Sequence, residues 1–83
     1  MSVSLRYFAS LREALGAGEA LEMNVAITVG ALRDTLVARG GRHAELLARG
    51  RAVRCALNRQ MCDDTQAVVD GDELAFFPPV TGG

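Results

Sequence analysis

Residues 28–41, TVGALRDTLVARGG, have the pattern of one amphipathic helix that ends at a pair of glycines. Thr28 is a favoured helix N-cap, because its hydroxyl can accept a hydrogen bond from a free backbone N–H of the first turn. The apolar residues recur at helical spacing on one side, and they are Val29, Leu32, Leu36 and Val37. Since such a stripe must be covered, the stretch predicts the main helix of a small domain, packed on a sheet.

The segment at the start of the chain alternates apolar and polar residues. Val3, Leu5 and Tyr7 are its apolar members, which predicts a half-buried strand over residues 2–8. Phe8 is out of step with them, so it either faces away from the core or packs with the next helix. The segment has neither a basic leader nor a continuous apolar run, so we expect no signal peptide, no membrane span and a cytoplasmic location.

A short helix and a second strand are predicted before the main helix. Ser10 and Glu13 have the spacing of a capping box at a helix start, and Gly16 can end this helix in a left-handed conformation. Apolar and polar residues then alternate over residues 21–27, which predicts one strand.

Further helical turns and a hairpin are predicted after the main helix. The segment HAELLARG, residues 43–50, is typical of one or two helical turns. Val53, Cys55 and Leu57 then alternate as in a strand, and a polar turn at residues 58–59 leads to a short extended piece around Met61.

The last strand is predicted over residues 73–77, after the tight-turn signal Asp70-Gly71-Asp72. Leu74 and Phe76 fall on one face of this strand, and Phe77 falls on the other. The order of elements indicates an α+β domain with a mixed sheet and the main helix on one face. The other face would be partly bare, and apolar residues there predict a docking patch.

Composition narrows the function classes. The 83 residues suffice for one small domain, and 49% apolar with 23% charged residues is typical of a soluble globular protein. The net charge of −1 argues against nucleic-acid and membrane-surface partners. All nine basic residues are arginines, and the chain has no lysine. This indicates either a genomic bias or a chain end that is chemically activated and must find no side-chain amine on its own molecule to acylate.

Cys55 and Cys62 are the only cysteines, and His43 is the only histidine. A metal site would need more ligands, so no metal is expected, and the cysteines are interpreted as packing residues. Redox or sulfur chemistry at the two thiols stays an alternative.

The closing residues 76–83, FFPPVTGG, predict a chemical site. Pro78 and Pro79 cannot donate ladder hydrogen bonds, so they end the strand and launch an extended tail. Gly82 and Gly83 let the chain enter a narrow channel and present its terminal carboxylate. This carboxylate is an anion at neutral pH and needs activation by another protein, because the chain has no phosphate-binding loop. A frayed, functionless terminus is the alternative.

Three stretches resemble the small subunit of molybdopterin synthase (MoaD), in the MoaD/ThiS family of ubiquitin-like β-grasp sulfur carriers. They are LRYFASLREALG (5–16), TVGALRDTL (28–36) and DGDELAFFPPVTGG (70–83), and the resemblance covers essentially the whole chain. It implies a β-grasp domain over residues 1–77 and a flexible tail over residues 78–83. It also implies a non-catalytic subunit that binds no cofactor itself.

The resemblance implies a role for each tail residue. Gly83 would be adenylated with ATP by an E1-like adenylyltransferase (MoeB-like) and converted to a thiocarboxylate. Val80, Thr81 and Gly82 would thread it into the active site of the large subunit (MoaE-like), in a heterotetramer. There it would give sulfur to precursor Z (cyclic pyranopterin monophosphate) to form the molybdopterin dithiolene. The partner-binding residues would be Phe8, Met61, Phe77, Pro78 and Pro79.

Three alternatives stay open on the sequence alone. The chain could be a related sulfur carrier of the thiamine pathway or of another thiolation pathway. It could be an amine-conjugating modifier, in which the same tail forms isopeptide bonds with lysines of other proteins. It could also be a binding module with an inert tail.

Overall fold

The computed structural model of the protein describes residues 1–79. The elements within this range are β1 (Ser2–Tyr7), α1 (Ala9–Leu15), β2 (Gly18–Glu22), β3 (Ile27–Thr28), α2 (Val29–Val37), α3 (Gly41–Leu47), β4 (Arg54–Leu57), β5 (Gln60–Cys62), β6 (Ala67–Val68) and β7 (Glu73–Phe77).

The main sheet has five strands in the order β2-β1-β7-β4-β5. The first and last strands of the chain, β1 and β7, are parallel neighbours, whereas the other pairs are antiparallel. The predicted α+β fold with a mixed sheet is therefore confirmed. Strand β7 lies at the centre, with a hydrogen-bonded neighbour on each side.

The main helix covers one face of this sheet, as its apolar stripe predicts. Val29, Leu32 and Leu36 are fully buried, and Val37 is partly buried. The predicted cap is confirmed, because the Thr28 hydroxyl accepts a 3.1 Å hydrogen bond from the Ala31 N–H. The sheet and the neighbouring elements contribute Val3, Leu5, Tyr7, Leu11, Leu47, Cys55, Val68, Leu74 and Phe76 to the same core.

The single strand predicted over residues 21–27 is wrong, because the segment belongs to two sheets. Strand β2 pairs with β1 as far as Glu22, and β3 pairs with β6 in a separate two-stranded sheet. The Met23 N–H still bonds to the Met1 carbonyl, after which the chain bends towards the start of α2. The apolar Val25 lies in this bend with 65% of its surface exposed, so its place in the alternation was misleading.

The capping box predicted for α1 is also wrong. Phe8 is the N-cap and Ser10 lies inside the first turn, with no side-chain cap. The Phe8 carbonyl accepts from two N–H groups of the turn, while the Phe8 N–H still bonds to the Phe76 carbonyl. The helix therefore begins as soon as β1 ends, earlier than the box requires. It ends at Gly16 as predicted, with φ +92°, but ψ 179° differs from the left-handed helical value.

A buried arginine joins the helices. Arg33 is 5% exposed, and its Nη2 donates to the carbonyls of Ala48 at 2.7 Å and Arg51 at 3.1 Å, while its Nε donates to Leu47. These carbonyls belong to the last residue of α3 and the turn after it, where a helix leaves acceptors unsatisfied. The side chain thus holds α2 against the end of α3.

Tyr7 carries a buried hydroxyl that has no hydrogen-bond partner among residues 1–79. Its ring stacks on Phe76, with centroids 6.3 Å apart, and meets the edge of His43 at 6.4 Å. Burial, reinforced by the nearby Glu19 carboxylate, raises the pKa of the Tyr7 phenol to about 12. The hydroxyl therefore stays protonated wherever the domain is folded at ordinary pH.

We expect the domain to lose stability at alkaline pH through Tyr7. The folded pKa of about 12 lies above the ordinary value of 10.0, so this contribution is intact below pH 10 and is lost as the pH rises towards the folded value. A shift of this size corresponds to about 3 kcal/mol. Tyr7→Phe should remove this part of the loss, which denaturant unfolding near pH 9 and near pH 12 would measure.

Tyr7 is the only tyrosine, so the ultraviolet absorbance of phenolate reports this group alone. The buried Cys55 thiol also titrates in this range, but it is present in both proteins and cancels in the comparison. An equal alkaline loss in wild type and Tyr7→Phe would contradict the assignment.

Candidate functional site

The face of the sheet opposite α2 carries a row of four residues from four strands. The register places Ala75 beside Arg6 on one side and beside Ala56 on the other, and Met61 lies opposite Ala56. Residues directly opposite each other in a sheet share a face. This row therefore runs across β1, β7, β4 and β5 on the side away from the main helix.

A groove of about 460 Å³ lies on this face. Its lining residues are Arg6, Phe8, Ala56, Arg59, Glu73, Ala75 and Phe77. The apolar floor comes from the middle of the sheet, and charged side chains flank it. We call this surface the outer groove.

The outer groove brings together two aromatic residues that the sequence singled out. Phe8 follows β1 with 40% of its surface exposed, and the half-buried Phe77 ends β7. Leu74 and Phe76 are fully buried on the other face, as the alternation predicts. Because β1 and β7 are parallel neighbours, both aromatic side chains lie at the same end of the sheet.

The other predicted partner-binding residues lie outside the groove lining. Met61 is 55% exposed and extends the apolar surface onto the edge strand β5 through its position opposite Ala56. Pro78 and Pro79 line a different groove of about 390 Å³, together with Leu11 and Leu46 of the helices. The prolines therefore mark where the chain leaves the sheet and do not extend the outer groove.

Two arginines of the outer groove were missed by the sequence analysis. The Arg6 guanidinium carbon lies 5.9 Å from the centre of the Phe8 ring, within reach of a cation–π interaction. Arg59 lines the groove from the β4–β5 turn, in which it and Asn58 have positive φ values. Arg6 could have been placed on the outer face from the sequence, because it is a polar member of the alternation in β1. No sequence pattern indicates that Arg59 lies at the groove.

The acidic residues near the last strand hold turns together. Asp70 accepts a 2.7 Å bond from the Ser2 N–H, and Asp72 accepts from the Val69 N–H at 2.8 Å and from Asn58 at 2.9 Å. Two hydrogen bonds from Thr65 hold the pKa of Asp63 below its usual value. The hydrogen bonds of Asp70 and Asp72 thus support the tight turn before β7 that the Asp70-Gly71-Asp72 signal predicts.

The tail begins where β7 ends. Pro78 is half-buried and Pro79 is exposed, and neither belongs to a strand. The predicted site residues Val80, Thr81, Gly82 and Gly83 lie outside the described residues. Because β7 pairs with β1 and β4, the segment that precedes the tail is anchored on both sides.

Residues 1–79 contain neither a cluster of metal-ligating side chains nor a helix that could span a membrane. No three His, Cys, Asp or Glu side chains in this range gather in a way that could hold a metal ion. Within the same residues, every helix is too short or too polar to cross a membrane.

Comparisons with known proteins place this geometry in a family. A model of the ThiS family matches residues 5–83. The molybdopterin synthase sulfur carrier subunit of Escherichia coli (strain K12) is 39% identical over 82 residues, covering 98% of this chain and 99% of that protein.

Two solved structures share the fold over nearly their whole lengths. The small archaeal modifier protein 1 of H. volcanii has a TM-score of 0.75 and 28% identity, covering 95% of this chain and 98% of that one. The complex of subunits 1 and 2 of the molybdopterin-converting factor from Helicobacter pylori contains a chain with a TM-score of 0.68 and 26% identity, with both chains fully covered. The chain thus belongs to the ThiS family of ubiquitin-like β-grasp proteins.

Proposed function

We propose that this protein is the sulfur carrier subunit of a molybdopterin synthase, with Gly83 as the carrier residue. The observation that supports this most is the similarity, over nearly the full length of both chains, to a named sulfur carrier subunit. Gly82 lies five residues beyond Phe77, the last residue of the central strand. We place the boundary between the β-grasp domain and the reactive tail between residues 77 and 78, where β7 ends and the two prolines follow.

The chemistry follows from the state of the terminal carboxylate. As an anion with a pKa of about 3.5 it is a poor electrophile. An E1-like adenylyltransferase (MoeB-like) therefore uses ATP to form an acyl-adenylate, and sulfur then replaces the adenylate to give a thiocarboxylate. The thiocarboxylate sulfur is a nucleophile, and it attacks precursor Z in the large subunit to build the molybdopterin dithiolene. Since the activation consumes ATP, we place the protein in the cytoplasm.

The outer groove is the proposed docking surface for the large subunit (MoaE-like). The relative from Helicobacter pylori is described in a complex of subunits 1 and 2, which supports a partner of this kind. We propose a heterotetramer of two small and two large subunits, because the dithiolene needs two sulfurs. Fixing a peptide segment in one conformation in a binding channel costs on the order of 1 to 2 kcal/mol per residue. Burial of Phe8, Phe77 and Met61 beside it offsets this cost.

Phe77→Ala should weaken binding of the large subunit by about 1 to 3 kcal/mol, because an aromatic anchor at an interface contributes this much. Titration calorimetry with the purified large subunit measures the change. Val25→Ala is the control, since Val25 is an apolar residue with 65% of its surface exposed and does not line the outer groove. An unchanged Kd for Phe77→Ala would remove the groove from the proposed interface.

The proposal is tested by the mass of the intact protein after incubation with ATP, the E1-like enzyme and a sulfide source. Replacement of one oxygen by one sulfur at Gly83 is expected. An end that stays unmodified under these conditions would refute the carrier function and favour a binding module with an inert tail.

A modifier function is the second candidate, supported by the similarity to small archaeal modifier protein 1. It predicts isopeptide-linked conjugates, which appear as a ladder of larger species in denaturing gels of native cell extracts. A related carrier of the thiamine pathway predicts the same thiocarboxylate but a different copurifying partner. Isolation of the protein with its partner therefore separates these functions.

A further inference from the structure

Cys55 and Cys62 face each other across the β4–β5 hairpin as directly opposite residues. Opposite residues of an antiparallel pair have Cα atoms about 4.5 to 5.5 Å apart, within the range that a disulfide spans. The two Sγ atoms are 3.3 Å apart, and the Cys55 thiol also points at the Cys62 carbonyl at 3.4 Å. A disulfide would therefore form with little movement of the backbone.

The two thiols differ in access. Cys55 is 7% exposed and belongs to the core cluster, where it lies opposite Phe76 of β7. Cys62 is half-buried and lines an open cavity of about 200 Å³, together with Met61 and Gln66. Burial and the neighbouring Cys62 raise the pKa of the Cys55 thiol to about 12, so it stays protonated at neutral pH. A small reagent can thus reach Cys62 first.

We infer that Cys55 and Cys62 are a site of reversible disulfide formation, in which a small aliphatic disulfide is the oxidant. The Cys62 thiolate attacks one sulfur of the reagent, the reagent's S–S bond breaks, and one thiolate leaves. Cys55 then attacks the Cys62 sulfur of this mixed disulfide. The second half of the reagent leaves, takes up the proton of Cys55, and becomes the second thiol. Two protein thiols are oxidised, and one reagent disulfide is reduced to two thiols.

The second step is favoured by the geometry. A separation of 3.3 Å between the two sulfurs matches the distance of a reactive pair already in place. The mixed disulfide at Cys62 should therefore be short-lived when Cys55 is present. The resulting cross-link joins the edge strand β5 to β4. It lies next to the pair of Ala56 and Met61, so it also fixes the position of these two residues of the outer face.

The test uses the full chain and cystamine as the reagent, followed by an acid quench and intact-mass measurement. Wild type should lose two hydrogen atoms, retain no cysteamine, and return to its starting mass after reduction with dithiothreitol. Proteolytic mapping should locate the cross-link between Cys55 and Cys62. A retained cysteamine adduct, a disulfide-linked dimer, or no reaction would overturn the inference.

Two variants separate the roles of the thiols. Cys55→Ser should keep one cysteamine on Cys62, because the second step is missing. Folded Cys62→Ser should react more than about tenfold more slowly than folded Cys55→Ser. The thiol that remains in Cys62→Ser is the buried Cys55, which the reagent reaches through local opening of the structure. In denaturant the two variants should react at similar rates. Equal rates in the folded proteins, with cooperative unfolding of both shown by circular dichroism, would contradict the proposed order of attack.

Discussion

Deletion of Gly83, or addition of one residue after it, should abolish sulfur transfer and leave the fold intact. Either change moves the terminal carboxylate by one residue relative to the anchored end of β7, so the reacting carbon no longer reaches the catalytic groups of its partners. Misplacement by even 1 Å can cost about 100-fold in rate, and one residue is a larger displacement. We therefore expect a loss of at least about 100-fold in reconstituted synthesis of the dithiolene product.

The extended variant provides its own control. An extension that a specific protease removes to leave Gly83 as the last residue should be inactive before cleavage and fully active after it. Thermal unfolding should be the same for both forms, because the core lies within residues 1–79. Full activity of the uncleaved or shortened chain would refute the role of Gly83.

Gly18→Ala is expected to destabilise the domain by about 3 kcal/mol or more, a large fraction of the roughly 4 to 12 kcal/mol that is typical of a domain of this size. A Cβ atom at Gly18 would lie 2.1 Å from the carbonyl oxygen of Leu5, which belongs to the backbone of β1 and cannot turn aside. Gly18 also has φ +154°, which L side chains rarely adopt. The substitution must therefore separate β2 from β1. Denaturant unfolding with circular dichroism measures the change.

Gly16→Ala is the matched control for this prediction. Gly16 has a positive φ of +92°, but a Cβ atom there would meet no atom within 4 Å. It should cost only about 1 kcal/mol, from backbone strain alone. Similar losses for Gly16→Ala and Gly18→Ala would show that the contact with Leu5 has no special cost.

The parts of the fold that the sequence predicts well are those in which local signals and burial agree. The stripe of α2 and its Thr28 cap are confirmed, because the same residues favour the helix and cover the sheet. The last strand has the predicted bounds, Glu73–Phe77, since a tight turn precedes it and prolines follow it. The mixed sheet then follows from the order of the elements.

The parts that it misses depend on contacts distant in the chain. The alternation of residues 21–27 is locally the same as that of a single strand. The segment is divided between two sheets only because β3 pairs with β6. The role of Arg33 depends on carbonyls that lie 14 to 18 residues away. For the outer groove, the alternation placed Phe77 but could not place Arg59, which reaches it from a turn.

The parallel pairing of β1 and β7 has a mechanical consequence. A force that draws the end of β7 away from the start of β1 acts along both strands, so it loads their whole ladder in shear and does not unzip it bond by bond. Strand β4, which is antiparallel to β7, adds a second ladder of hydrogen bonds on the other side of β7. A protein that unfolds its substrates by pulling on their C-terminal residues would therefore have to break all of these hydrogen bonds together before it could unfold the domain.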